Sequence, residues 1–325
     1  MKKIICLLSI AFIMLQSCSS EDSSNATNPQ AAKIYFDAYN SNIGTNGIKW
    51  SEIYSVNVDG TNQQQITNYS QNGTIQIISE DVYLSNNSKI YFISNRDNAY
   101  GEVFKMNTDG SSLIRITDNS GHYFSNPMLY SNESKIIMDK ESVDGVNGKY
   151  GEIYSMQEDG SNLVKLTNYP SEGSCYEAVI NPNNSKIVYS CKINNIEPQL
   201  YTMAIDGSNK QILTTNNTFT KRNPKYSHTG TKIVFQARVA SIVNKHSEIF
   251  IMNSDGSSIV QLTNYSNGGT LNTATNDPIF SNDDTQIYYV SNESGVSQIY
   301  KMNIDGSNKT ILTTTPEDKS KPYIK

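Results

Sequence analysis

Few residues in this chain of 325 have the types and spacing that catalysis demands. The three histidines, His122, His228 and His246, are dispersed, and no His-X-Glu or Cys-X-X-Cys spacing gathers metal ligands. No Gly-X-Ser-X-Gly elbow presents a nucleophile. Recognition chemistry is better supplied. Aromatic and basic residues recur between the apolar segments: Trp50, the only tryptophan, then Arg96, Tyr100, His122, Tyr123, Tyr150, Arg222 and Arg238. Exposed, such rings stack on a sugar or anchor a peptide; tucked inward, they pack their own loops against the body. A second set is polar and periodic, each member preceding a proline or its counterpart: Glu80, Asn126, Glu177, Asn223, Asp277 and Lys321. The acids among them, Glu80, Glu177 and Asp277, offer the oxygen ligands that Ca2+ takes. The competing reading is a solvated polar rim.

The elements that position these residues repeat. Asp-Gly recurs at Asp59, Asp109, Asp159, Asp206, Asp255 and Asp305, at intervals of 50, 50, 47, 49 and 50 residues. A period near 50 signals propeller blades or a similar array. Each unit carries the same segments: an inner one often opened by Pro, then Lys/Gln-Ile with aromatic or aliphatic residues (Lys89-Ile90-Tyr91-Phe92), then Glu/Gln-apolar-aromatic-X-Met (Glu102 to Met106), then X-Ile/Leu-Thr (Arg115-Ile116-Thr117). All are short, rich in β-branched or aromatic residues, and bounded by Gly, Asn, Ser or Asp, so they read as strands. The Asp-Gly pairs read as hairpin turns rather than calcium loops, because no twelve-residue loop of spaced acids follows them.

The ends of the repeat complement each other. Lys321-Pro322-Tyr323-Ile324 matches an inner segment, whereas Lys33-Ile34-Tyr35-Phe36 matches a second segment with no inner one before it. Joining them removes the open strand edges of a linear array. The sequence therefore predicts an all-β fold, a six-bladed propeller of four-stranded blades over residues 33–325, closed by the C-terminal strand in the N-terminal blade.

Asn253-Ser254-Asp255-Gly256-Ser257 and Pro224-Lys225-Tyr226-Ser227-His228-Thr229-Gly230-Thr231-Lys232-Ile233 resemble the TolB-type, WD-like propeller repeat. The resemblance covers residues 33–325 and implies the propeller fold; with the catalytic motifs missing, the expected function is a non-catalytic module that recognises an envelope protein, peptide or glycan. Oligogalacturonate lyases use a related propeller with a His-rich metal site, which keeps a carbohydrate-active, metal-assisted enzyme at the channel mouth as the alternative.

Loop lengths separate the two ends of the ring. From the Glu/Gln of segment three to the following Asp is seven residues in all six units, and the turn after the inner segment is eight in each complete copy. The other connections vary, from 12 to 19 residues between segments two and three and from 17 to 23 between units. Variable loops on one face commonly mark a binding face, so recognition is expected there, with the Glu80 to Lys321 set at its channel mouth.

Ahead of the repeats, Met1-Lys2-Lys3 precedes an apolar run from Ile4 to Leu15, too short for a bilayer of ~30 Å. Leu15-Gln16-Ser17-Cys18 resembles a bacterial lipobox, which implies a signal peptide over 1–17, acylation of Cys18 and a tether over 18–32. Ser19 after that cysteine fits an outer membrane lipoprotein, periplasmic or surface-exposed, held to the membrane by its lipid. Cys175 and Cys191 flank the turn at Asn181 to Asn184 and so face each other on adjacent strands, as a disulfide or as two buried thiols. A formal charge of −5 without clustered Lys and Arg excludes nucleic acid as a partner.

Overall fold

The structure, a computed structural model, describes residues 32–324 apart from 40–50, 69–78, 98–99, 119–121, 145–147, 170–172, 194–195, 216–218, 240–246 and 265–273. Signal peptide, Cys18 and tether lie outside the described residues. Among the described residues no helix is long and apolar enough to cross a membrane.

The strands form six antiparallel four-stranded sheets. Blade 2 is β4 (Ser79–Leu84), β5 (Lys89–Ser94), β6 (Glu102–Asn107) and β7 (Ile114–Arg115). Blade 3 is β8 (Tyr123–Tyr130), β9 (Lys135–Asp144), β10 (Gly148–Gln157) and β11 (Val164–Lys165). Blade 4 is β12 (Ser174–Ile180), β13 (Lys186–Lys192), β14 (Gln199–Ala204) and β15 (Gln211–Ile212). Blade 5 is β16 (Phe219–Tyr226), β17 (Lys232–Val239), β18 (Ser247–Asn253) and β19 (Val260–Gln261). Blade 6 is β20 (Thr275–Phe280), β21 (Gln286–Ser291), β22 (Gln298–Asn303) and β23 (Thr310–Ile311). Blade 1 joins the two ends of the chain: β1 (Lys33–Tyr39), β2 (Ser51–Asn57) and β3 (Gln64–Gln65) take β24 (Asp318–Ile324) as their inner strand. The pairing of Ile34 with Ile324 and Tyr35 with Tyr323 is the expected closure.

Alternation in the two middle strands of a blade gives it an apolar surface on both sides. The core accordingly lies between blades. Val234, Ile249 and Ile251 of blade 5 pack on Phe280, Ile287, Tyr289 and Met302 of blade 6. At the closure, Ile34, Phe36 and Val56 pack on Ile279, Tyr288 and Ile299. Each fully buried Ile or Phe contributes about 1.5–3 kcal/mol relative to exposure.

The recurring Glu/Gln and Thr of the repeat hold the outer strand. Thr263 Oγ1 donates to Glu248 at 2.5 Å and accepts the Ile249 N–H at 2.8 Å. Thr67 does the same for Glu52 and Ile53, and Thr117 for Glu102 and Val103. A two-residue strand has too few ladder bonds to hold itself, and this charge-assisted contact supplements them. The outer strands are short, which also blunts the exposed edges of the ring.

The Asp-Gly turns are hairpin turns, as expected, and they also latch the blades together. Asp59 accepts the Thr61 N–H at 2.9 Å and its hydroxyl at 2.6 Å, while Gly60 adopts φ +87. A Cβ on Gly60 would stand 2.6 Å from the Leu312 carbonyl oxygen of blade 6. Glycine is thus required twice, for its dihedral and for the close approach of the neighbouring blade. Gly60→Ala is expected to lower stability by about 3 kcal/mol or more, since left-handed strain of about 1–2 kcal/mol combines with a backbone clash. Gly295→Ala, at φ +92 with nothing within 4 Å, carries the strain alone and should cost less than half as much in urea unfolding.

Candidate functional site

Every inner strand is broken by a bulge at the same place. Register shifts fall between Glu80 and Tyr83, Ser125 and Met128, Tyr176 and Val179, Arg222 and Lys225, and Asn276 and Ile279. The bulged residue is left-handed in all six blades: Asp81 (φ 56), Asn126 (52), Glu177 (61), Asn223 (51), Asp277 (51) and Lys321 (47). Asn and Asp tolerate this region through local hydrogen bonding, whereas Glu177 and Lys321 are held there by their surroundings.

Five of these are the residues singled out from the sequence; the sixth is not. In blade 2 the ring position belongs to Asp81, and Glu80 pairs instead with Ile93 in the regular ladder. The turn over Ser85 to Ser88 is one residue shorter than its counterparts, so counting back from Lys89 lands one residue early. The side chain of Glu80 lies outside the described residues.

The ring is stitched by its own backbone. The bulge turns an N–H toward the preceding blade, where a carboxylate receives it. Asn126 N–H donates to Asp81 Oδ2 at 3.1 Å, Asn223 N–H to Glu177 Oε2 at 2.7 Å, and Lys321 N–H to Asp277 Oδ2 at 3.1 Å. Where the preceding residue is Asn126, which cannot offer a carboxylate, Asp139 of β9 substitutes. It accepts the Glu177 N–H at 2.7 Å and the Asn126 amide at 2.6 Å. Asn223 donates its amide to Asp277 Oδ1 at 2.6 Å. Lys321 Nζ reaches Asp81 Oδ1 at 2.5 Å, and Arg222 lies 3.6 Å from Glu177 Oε1.

Of the three acids read from the sequence as calcium ligands, Glu177 and Asp277 stand in this ring, and the side chain of Glu80 lies outside the described residues. The ring carboxylates already accept donors from the neighbouring blade, and lysine and arginine supply the countercharge a cation would bring. Among the described residues no three His, Cys, Asp or Glu side chains lie close enough to hold a metal ion.

The ring also lies deeper than a channel mouth. It forms the floor of a cavity of about 430 Å³ whose lining runs from Asp81, Asn126, Asn223, Asp277 and Lys321 to the turn residues Asn86, Asn132, Asn181 and His228. The cavity therefore opens at the face of the uniform tight turns, opposite the variable loops. Its wall is apolar, built by Tyr83, Met128, Val179, Ile279 and Tyr323, the residues two places after each bulge. Tyr83 and Tyr323 meet at 5.0 Å between ring centres. In blade 5 the same position is Lys225, which stands in the field of Asp81, Asp277, Glu177 and Asp139.

Burial dominates the titration of this floor. It raises the Asp139 carboxyl to about 7 against the hydrogen bonds from Glu177 and Asn126 that favour the ion, and it raises Glu177 and Asp277 as well. Burial lowers Lys225, opposed by the four acids around it.

The described aromatic and basic residues make contacts in several blades. Tyr100 and Tyr123 pack edge to face at 5.1 Å, and Arg96 lies 5.9 Å over Phe104 and 3.5 Å from Asp97. His122 is half-buried beside Tyr123, and Arg238 is exposed on β17. Arg222 touches the ring at Glu177. Trp50 and the side chain of Tyr150 lie outside the described residues. Cys175 and Cys191 are in register across β12 and β13, with their Cα atoms 4.1 Å apart, and are joined as a disulfide.

Sequence reasoning missed Asp81, Asp139 and Lys225. A signal for Asp139 existed: Asp37, Asp139 and Gln236 all stand four residues after the Lys that opens the second segment, interrupting its apolar run. Gln236 accepts the Asn223 amide at 3.1 Å, and Asp37 accepts the Ser320 hydroxyl, so the offset marks second-strand support for the ring.

Residues 42–230 match the family model described as the TolB beta propeller domain. No curated protein sequence matches the chain significantly. Among solved structures, TolB from Acinetobacter baumannii aligns with a TM-score of 0.71 at 16% identity, covering 90% of this chain. This chain spans 66% of that protein's length. A putative TolB from Agrobacterium tumefaciens aligns at 0.60 and 16% identity, covering 87% of this chain and 89% of its own. Oligogalacturonate lyase from Vibrio parahaemolyticus aligns at 0.51 and 12% identity, covering 78% and 84%. At these identities the likeness is one of fold.

The raised carboxyl makes stability depend on pH with a defined sign. Asp139 ionises near 3.8 when unfolded and about 7 when folded, so the folded state holds the extra proton between those values. Stability should fall by up to about 1.4 kcal/mol per unit as pH rises from 4.5 to 7, then level off. The turn aspartates, held low by Ser or Thr hydroxyls, act oppositely but only below about 4. Lys221, lowered to about 8 by burial, changes stability only above that pH. Thermal melts across this range should show the decline, and Asp139→Asn should make it shallower, leaving the part that the raised Glu177 and Asp277 carboxyls contribute.

Proposed function

Because the chain belongs to the TolB beta-propeller family, we propose that it is a protein-interaction module, non-catalytic, carried on a bacterial envelope lipoprotein. The observation that carries the reading is the central cavity: apolar-walled, lined up to the tight-turn face, and floored by groups that hydrogen-bond one another rather than poise a nucleophile and base. A segment of a protein or peptide partner, or an envelope glycan, enters from the tight-turn face and buries itself against Tyr83, Met128, Val179, Ile279 and Tyr323. The six inner strands preorganise this wall, so little ordering cost falls on the propeller when it binds. The lipid on Cys18 holds the ring at the outer membrane, on its periplasmic or outer side, and residues 18–32 give it reach.

The lyase alternative has less support: it needs a metal, and the ring offers lysine and backbone N–H groups where ligands would stand. The variable-loop face retains one argument of its own, its connections of 12 to 23 residues, and serves as a second contact surface.

Two measurements test the proposal. Val179→Trp should fill the cavity without touching the loops; crosslinking against an envelope fraction should lose the wild-type partner bands, and unchanged bands would refute cavity recognition. Cys18→Ala should move the protein from the membrane to the soluble fraction and abolish palmitate labelling.

A further inference from the structure

Building on the cavity reading, we propose that the site takes the carboxylate of an apolar-bodied ligand, seated on the ammonium of Lys225. The inference starts from donors and acceptors left over on the floor. Asp81 is occupied by Lys321 and the Asn126 N–H, and Glu177 by Arg222 and the Asn223 N–H. Asp277 receives Asn223 and Lys321, and Asp139 receives Asn126 and Glu177. Lys225 lines the same cavity, and while its backbone pairs with Val234, among the described residues its ammonium makes no hydrogen bond or ion pair. Its three N–H donors are unspent, while each carboxylate around it already has a donor or cation from another residue beside it.

An ammonium withdrawn from bulk water without a direct partner is costly, and a charge-assisted hydrogen bond from a carboxylate is the strongest remedy available. The nearby acids do not forbid an anion. Lys321 neutralises Asp81, Arg222 neutralises Glu177, and burial favours the protonated form of Asp139, so Asp277 is the remaining full countercharge to Lys225. Above the ammonium the wall is apolar, with two tyrosine rings on one side. The complement is thus an acid at the tip of an apolar body. Two sources share that chemistry: the C-terminus of a chain ending in an apolar residue, and a small aliphatic or aryl acid.

Calorimetry on the full-length chain in detergent tests this with 4-phenylbutyrate and its amide, and with acetyl-Ala-Ala-Phe as free acid and as amide. Each acid is expected to bind about tenfold or more tighter than its amide. Lys225→Met should erase that preference, and Lys225→Arg should keep it. Whichever acid binds tighter identifies the source, and either result supports the proposal. Equal affinity of acid and amide, both lost in Val179→Trp, would overturn the carboxylate while leaving the cavity reading intact. Acid binding unchanged in Lys225→Met, or absent at millimolar concentration, would overturn the proposal. Binding unchanged in Val179→Trp would overturn the cavity reading with it.

Discussion

A sheet with two apolar faces must be covered on both, and in this protein that requirement governs everything else. Each blade finds its cover in the blades before and after it, so the array has no stable end until the last strand meets the first. The pairing of β24 with β1 satisfies both the hydrogen bonds of an inner edge and the apolar faces on either side. The Asp-Gly turns belong to the same constraint. Their glycines let one blade approach the next to within van der Waals contact of its backbone, and Gly60 makes that contact across the closure.

Closure brings six strand backbones to one axis, where a regular ladder would leave inward-facing N–H groups with no partner strand. The left-handed bulge turns each strand locally toward the preceding blade, and at Asn126, Glu177, Asn223 and Lys321 a carboxylate there receives the turned N–H. The polar floor is therefore a consequence of ring geometry before it is a binding feature. Strain at Glu177 and Lys321 is tolerated because the same residues close the hydrogen-bonded circuit. What remains after the circuit is satisfied is the apolar wall above it and one lysine, and these set the chemistry of the cavity.

The architecture was legible in the chain because its signals are local and repeated: the Asp-Gly period, the four strand patterns in each unit, and the mismatch between the first and last segments. The site was legible only in part. Four of the six ring positions follow from the residue before proline and a fifth, Glu177, from the equivalent position before Ala178, but the sixth was displaced by a single deletion in a turn, which no pattern within one repeat reveals. The depth and direction of the site were not legible either. Loop length pointed to the variable face, whereas the described cavity is lined from the ring to the tight-turn face, by residues whose loops do not vary in length.

Asp139 and Lys225 show where the division falls. Their identities and offsets are present in the sequence, yet neither signals its role there: Asp139 interrupts an apolar strand, and Lys225 follows an ordinary proline. By itself the sequence determined the number of blades, the order of strands, the closure and the turns, since each depends on residues near one another in the chain. Only the tertiary structure decided which carboxylate answers which N–H, and which side chains line the cavity above them. Those outcomes depend on contacts between blades some fifty residues apart, where a shift of one position exchanges a channel-facing side chain for a buried one.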